Sequence, residues 1–210
     1  MSRRGRLIAI EGIDGSGKST QAHLLAERTG ALLTREPGST PLGSILREAL
    51  LSPDTVHISP RAEALLMAAD RAEHVAQVIE PALARGDWVV CDRYSASTMA
   101  YQGHGRGLPL GELASVIGFA TGGIEADLNV LLEIPPGLAR ARIGLSGSSA
   151  DRFEALGEAF FERVAQGYAS MAAAEPASWL RLDATGTEEA IAEMLLAEVT
   201  RRLGTPPKPR

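Results

Sequence analysis

The sequence holds a single cysteine, Cys91, so no disulfide can form within the chain, and a reducing cytoplasm is the expected setting. Cys91 closes the apolar run Trp88-Val89-Val90-Cys91, where a buried, inert thiol is expected rather than a nucleophile. Asparagine is equally scarce. Asn129 is the only one and Val130 follows it, so the guanine-reading pattern N-K-x-D cannot occur. Positive charge is not in excess: the formal net charge is −5, and no broad cationic face for nucleic acid or anionic lipid is expected. Long apolar runs are missing as well. Arg3, Arg4 and Arg6 lead straight into a short one, so neither a signal peptide nor a membrane span is expected.

Against those absences stands one dense motif. Gly12-Ile13-Asp14-Gly15-Ser16-Gly17-Lys18-Ser19 fits G-x-x-x-x-G-K-[ST] at every fixed position. Before it, Leu7-Ile8-Ala9-Ile10-Glu11 reads as a buried strand; after it, Thr20 to Arg28 reads as a helix with an apolar face. Strand, glycine-rich loop and helix wrap backbone N–H groups around a phosphate and aim a helix N-terminus at its charge. Lys18 would reach the β- and γ-phosphates, the Ser19 hydroxyl would bind Mg²⁺, and the whole stretch from Gly12 to Thr20 would hold a nucleoside triphosphate.

At 210 residues the chain suits one α/β domain, residues 1–210, and neither an internal repeat nor a linker interrupts it. Strands are predicted at Leu7–Glu11, Leu32–Arg35, Trp88–Asp92, Asn129–Ile134 and Trp179–Asp183. Helices are predicted around Lys18–Arg28, Leu42–Leu51, Pro60–Ala84, Ser95–Gln102, Leu110–Thr121, Gly137–Arg142, Glu154–Ala174 and Glu188–Leu203. This alternation calls for a five-stranded parallel sheet with helices on both faces. Gly144-Leu145-Ser146-Gly147-Ser148-Ser149-Ala150 suits a mobile lid, placed about 143–152, or a plain surface loop. The proline-rich end, 204–210, is expected to fray.

Ligands in such sheets collect at the carboxyl ends of the strands, and the polar clusters fall there. One strand ends in Asp92-Arg93-Tyr94, an acidic residue placed to hold Mg²⁺ through water beside an arginine able to clamp a phosphate. Another ends in Arg35-Glu36-Pro37-Gly38, either a part of the site or an ordinary salt-bridged turn. Met67 and Arg71 share a helix face, as do Ser97 and Tyr101. The first pair can offer an apolar edge and a guanidinium to a base, the second a ring and a phenol to a sugar. Taken alone, each pair is equally a core Met with a solvated Arg, and a packed Tyr with a helix Ser.

In order along nearly the whole chain, these segments resemble the thymidylate kinase family of nucleoside-monophosphate kinases. The resemblance is carried by Glu11 to Gln21, Thr34-Arg35-Glu36-Pro37-Gly38-Ser39-Thr40, Ala69-Asp70-Arg71, Asp92-Arg93-Tyr94, Ala100-Tyr101-Gln102-Gly103, Asp151-Arg152-Phe153-Glu154 and the helix Phe161 to Tyr168. It implies a three-layer P-loop NTP hydrolase fold with a small lid, and transfer of the γ-phosphoryl of MgATP to dTMP. It further implies that Arg93 holds the dTMP phosphate, Arg71 hydrogen-bonds thymine and Tyr101 crowds the sugar where a ribose 2′-OH would project. Ser97 and Gln102 would lie near the base, Asp14 and Glu36 near the sugar or Mg²⁺, and Arg152 in the lid or its hinge. A homodimer is expected on the same ground.

Three positions depart from the family pattern. Met67 stands where many relatives stack an aromatic ring, and Gly15 where one branch carries a catalytic arginine. The second departure fits a bacterial-type branch, which supplies that arginine from the lid. Yet only Arg140, Arg142 and Arg152 lie between Pro136 and Glu154, with Arg142 and Arg152 as the catalytic candidates. A kinase of another nucleoside monophosphate or of a free deoxynucleoside, and a nucleotide-dependent switch, are the competing readings. A phosphate-free acceptor would have no need of Arg93.

Overall fold

The computed structural model describes residues 4–52, 57–145, 152–153 and 156–206. Strands β1 (Leu7–Glu11), β2 (Leu32–Arg35), β3 (Val89–Asp92), β4 (Leu128–Glu133) and β5 (Trp179–Asp183) run parallel in the order β2-β3-β1-β4-β5. The five strands fall within one residue of their predicted ends.

The central strands are apolar on both faces because both faces are covered. Leu7 and Ala9 of β1, with Val89 and Cys91 of β3, pack on Val75, Ile79, Ala82 and Leu83. Their neighbours Ile8, Ile10 and Val90 turn the other way, toward Ala22 and Leu25 of α1 (Lys18–Thr29), Val164 of α8 (Glu158–Ala174) and Leu195 of α9 (Glu188–Leu203). Cys91 is fully buried, and that burial pushes its thiol well above the usual range, as an inert core thiol requires.

Two predicted helices are not uniform. The stretch 60–84 is α3 (Pro60–His74), then a π-helical turn over Val75–Ile79, then α4 (Glu80–Arg85). Pro81 has no N–H and its ring crowds the carbonyl one turn back, so the chain widens just ahead of it, with the Glu80 N–H reaching the Val75 carbonyl. The stretch after β3 is α5 (Ser95–Thr98) followed by a π-helical segment, Met99–Gly105. A Cβ on Gly103 would lie 2.5 Å from Leu110, and one on Gly105 2.6 Å from Phe160, so this segment is pressed between α6 (Leu110–Thr121) and α8.

Of the expected lid, residues 146–151 lie outside the described residues, as do 207–210 of the expected tail and Asp151 and Glu154 of the D-R-F-E segment. The described part of α8 begins at Glu158 rather than 154. Among the described residues no helix is long and apolar enough to cross a membrane.

Topology places the site. The chain leaves β1 toward β2 on one side and leaves β3 toward β4 on the other. A crevice therefore opens above the carboxyl ends of β1 and β3.

Close packing of α8 on the π-helical segment gives a test of the fold. A Cβ on Gly167 would stand 2.6 Å from the His104 ring and 2.8 Å from its Cβ, too close for a rotamer change to cure. Overpacking costs about 1–3 kcal/mol, against a helix-propensity gain of about 1 kcal/mol. Gly167→Ala is expected to lower the melting temperature by about 2–4 °C per kcal/mol of net loss. A rise in melting temperature would contradict this packing.

Candidate active site

The loop from Gly12 to Gly17 joins β1 to α1, and its backbone tolerates no larger residues at two points. Gly12 has φ +143°, and a Cβ there would lie 2.7 Å from the Leu132 carbonyl oxygen. At Gly15, φ is +80° and a Cβ would come within 2.3 Å of the Ala139 carbonyl oxygen in α7 (Pro136–Leu145). The missing arginine at position 15 thus has a steric reason: α7 already fills the space.

No side chain caps the first turn of α1, which leaves its N–H groups for an anion. Lys18 folds back, its Nζ donating to the Ile13 carbonyl at 2.8 Å and lying 3.7 Å from Asp14. Burial, and then the nearby Arg93, push its ammonium down to about 8, with Asp14, Asp92 and Glu11 opposing. Three polar atoms on residues of this groove are buried without a partner among the described residues: Ser16 Oγ, Gln21 Oε1, and Asp92 Oδ1 at the end of β3. Asp92 Oδ2 accepts from the Ser19 hydroxyl at 2.5 Å. An orphaned carboxylate oxygen beside an alcohol is a hard-oxygen set of the kind Mg²⁺ takes, so these residues fit the ion that the sequence implies. Thr20 and Arg35 border the same groove.

Arg93 follows Asp92 in the left-handed region, φ 71°, the only described residue other than glycine with a positive φ. The unusual backbone turns its guanidinium into the crevice. Nη1 donates to the Gly12 carbonyl at 3.1 Å and Ser97 Oγ at 3.2 Å, while Nη2 donates to Tyr101 Oη at 3.1 Å and to Asp14 Oδ1. Asp14 also accepts from the Tyr101 hydroxyl at 2.9 Å. Burial alone would raise the Asp14 carboxyl, but Arg93 and Lys18 outweigh it and hold the group ionised, below its usual range.

Beside this network lies a second cavity, bordered by Met67, Arg71, Ser97, Tyr101 and Gln102. The cavity and the phosphate groove share Asp14, Glu36, Arg47 and Arg93 as a common wall. Arg71 is buried, not solvated: Nε donates to Glu36 Oε2 at 2.8 Å, Nη1 to Thr98 Oγ1 at 2.9 Å and Nη2 to the Tyr94 carbonyl at 3.0 Å. The Arg35-Glu36 segment is accordingly no ordinary salt-bridged turn. Arg35 is exposed, whereas Glu36 is buried and paired with Arg71 from α3. Met67 is partly buried against the main core and also borders the cavity.

The three arginines near the expected lid separate. Arg142 borders the phosphate groove. Arg140 borders a different, more apolar hollow with Ile13, Leu156 and Phe161. Arg152, expected to be catalytic, is held elsewhere in this structure. Its Nη2 donates to Glu63 Oε2 at 2.7 Å and its Nε to the Leu50 carbonyl at 2.9 Å. A fully buried carboxylate needs cations, and Glu63 takes two, Arg152 and Arg106, while also accepting from Gln102 at 2.9 Å.

Some residues of the site went unassigned in the sequence. Arg47, on α2 (Pro41–Leu51), donates to the Pro37 carbonyl at 2.8 Å and borders both cavities. Glu11, fully buried, accepts from the Tyr94 N–H, Ser97 Oγ and Tyr168 Oη at 2.9, 2.6 and 2.9 Å. No spacing in the chain links Glu11 to Tyr168. Glu63 was missed too, although it lies four residues before Met67 and eight before Arg71, where the helix period that pairs those two could have found it.

A family model described as thymidylate kinase matches residues 10–195. A thymidylate kinase of Synechococcus sp. (strain JA-2-3B'a(2-13)) is 48% identical over 203 residues, 93% of this chain and 95% of that relative. The thymidylate kinase of Cupriavidus metallidurans is 48% identical over 186 residues, covering 87% of this chain and 91% of the relative. That of Alkalilimnicola ehrlichii is 43% identical over 209 residues, 95% and 96% of the two chains. A match of this extent, on a P-loop joined to a second cavity, decides against a nucleotide switch: the chain belongs to the thymidylate kinase family.

Proposed function

We infer that this chain transfers the γ-phosphoryl of ATP to dTMP, giving ADP and dTDP. The observation that carries this reading is the wall shared by the two cavities, Asp14, Glu36, Arg47 and Arg93. A triphosphate in one cavity and a monophosphate in the other would meet at that wall, which is the arrangement an in-line transfer needs.

Phosphoryl transfer asks for position and for cancelled charge more than for a strong base. Lys18 and Arg142 supply cations on the donor side. Arg93 presents a planar fork to the acceptor phosphate, and Asp14 holds that fork rather than acting as a base. Tyr101 fills the space beside the sugar; Arg71, Ser97, Gln102 and Met67 receive the base, and Arg35 lies at the groove's outer edge. Glu36 sets Arg71 from behind. Ser19 and Asp92 would hold Mg²⁺, which would supply charge to offset that of the transferred phosphates. Arg152 stands at the hinge of the expected lid, about 143–152, whose closing would exclude water from the donor phosphates of the one kinase domain, residues 1–210.

The same reading includes a cytoplasmic homodimer. Leu42 and Ile45 of α2, Leu65 of α3 and Phe119 of α6 are exposed, Phe119 to 91%, on helices that pack side by side. Apolar groups of that size on adjoining helices are what a second copy would cover.

The acceptor panel tests the function. Purified protein with MgATP is assayed for ADP release against dTMP, dUMP, UMP, CMP and AMP. The expected kcat/KM is highest for dTMP, with dUMP lower by about tenfold or more for the missing methyl. Turnover without an acceptor, or a preference for CMP or AMP, would overturn the reading.

The buried lysine gives a pH test. With its ammonium pushed down to about 8, Lys18 loses its proton, and its charge, as pH rises through that value. The ratio kcat/KM for ATP follows the free enzyme, so it should fall by about tenfold per pH unit above that point. At saturating ATP, kcat should hold to higher pH because bound phosphates keep the proton on. A kcat/KM for ATP that stays flat well above pH 8 would contradict Lys18 as the donor-side charge.

A further inference from the structure

Behind the acceptor cavity runs a buried polar chain, Thr34, His74, Glu36 and Arg71, of which the reaction has used only the last two. His74, fully buried at the end of α3, has both ring nitrogens engaged. Nδ1 lies 2.9 Å from Glu36 Oε1, and Nε2 lies 2.6 Å from Thr34 Oγ1. A carboxylate can only accept, so Nδ1 carries the hydrogen and donates to Glu36. The second Glu36 oxygen, Oε2, accepts from Arg71 Nε at 2.8 Å. Arg71 is fixed on its remaining edges by Thr98 and the Tyr94 carbonyl, which leaves one N–H on each outer nitrogen to meet a ligand.

The same place brings Glu36, His74 and Cys91 ligand atoms within 4.8 Å of one another. That trio is not a metal centre. Glu36 spends its oxygens on His74 and Arg71, His74 spends both nitrogens, and the Cys91 thiol donates to the Arg93 carbonyl at 2.9 Å.

We propose that His74 is a positioning residue for the acceptor base: its Nδ1–H holds the Glu36 carboxylate in the one rotamer that aims Arg71 into the cavity. Without that donor, Oε1 is buried and unpaired, the carboxylate turns to find another partner, and Arg71 follows it. The inference rests on the reading that Arg71 faces the base of dTMP. It concerns recognition of the acceptor, since His74 borders neither cavity and reaches the site only through Glu36 and Arg71.

Two substitutions separate the ring nitrogens. An asparagine amide hangs from Cγ as Nδ1 does, so His74→Asn keeps a donor on Glu36 and gives up Thr34. A glutamine amide reaches the Nε2 position, so His74→Gln keeps Thr34 and leaves Glu36 unpaired. KM for dTMP, KM for ATP and melting temperature are measured for both, with Arg71→Ala alongside. The expected result is a KM for dTMP within about threefold of wild type for His74→Asn and raised about tenfold or more for His74→Gln, with KM for ATP unchanged in both. Equal KM values for dTMP in the two variants, or a worse one for His74→Asn, would overturn the proposal, whatever their melting temperatures. If Arg71→Ala raises KM for dTMP while His74→Gln does not, the role of His74 fails and the base reading stands. If Arg71→Ala leaves KM for dTMP unchanged, both fail. Should His74→Gln not fold, His74→Ala, which leaves a cavity in place of a misdirected amide, takes its place with the same expectation.

Discussion

A guanidinium buried at the head of a parallel sheet is stable only if every face of it is answered, and Arg93 organises this molecule on that condition. Its partners come from four segments: the Gly12 carbonyl and Asp14 from the P-loop, Ser97 from α5, Tyr101 from the π-helical segment and Tyr168 from α8. Tyr101 adds its ring, centred 4.9 Å from the guanidinium carbon. Removing one partner from such a cluster typically costs about 3–5 kcal/mol, because the remaining charge stays buried and unpaired. The left-handed backbone at Arg93 is strain of about 1–3 kcal/mol that this network sustains. The pairing also fixes chemistry. With Asp14 tied to Arg93, the carboxylate has no freedom to serve as a base, and the reaction is left to charge and geometry.

The second cavity is backed by a further set of buried polar groups, nearly all from α3. Glu63, Asp70, Arg71 and His74 lie on neighbouring turns. Asp70 accepts from the Gly38 N–H at 3.0 Å, fixing the loop behind Glu36. Burial, and then the like charge of Glu36, push its carboxyl up to about 6. Holding Asp70 ionised beside Glu36 therefore costs stability that grows as pH rises from its ordinary value through 6, a cost set against an ordered acceptor pocket. Glu63 links Gln102, which borders the second cavity, to Arg152 at the edge of the expected lid.

What the sequence made legible follows from range. The P-loop and its flanks are local, and the five strands carry a period that survives without knowledge of the fold. Asp92 and Arg93 were singled out because a strand end beside a P-loop has few other uses, and both border the groove that Lys18 lines. Where the sequence fell short, long-range pairing or backbone detail decided the outcome. Glu11 and Tyr168 meet across the whole chain, and Arg47 carries no periodic mark that sets it apart from a solvated helix residue. The π-helical turns depend on Pro81 and on the pressure of Phe160 and Leu110, which a period of 3.6 residues does not register. Arg152 was read by family pattern as a residue of the lid or its hinge and as a catalytic candidate, and the structure pairs it with Glu63, a buried carboxylate that takes a nearby cation.

The central claim is that one planar, doubly tied arginine joins the donor loop to the acceptor pocket. Steady-state kinetics of Arg93→Lys on dTMP tests it most directly, because lysine preserves the charge and removes the fork. The account predicts a kcat at least about tenfold below wild type with a raised KM for dTMP, since a point charge cannot hold Asp14, Tyr101 and a phosphate in one plane. Wild-type kcat and KM in Arg93→Lys would show that charge alone suffices, and would contradict it.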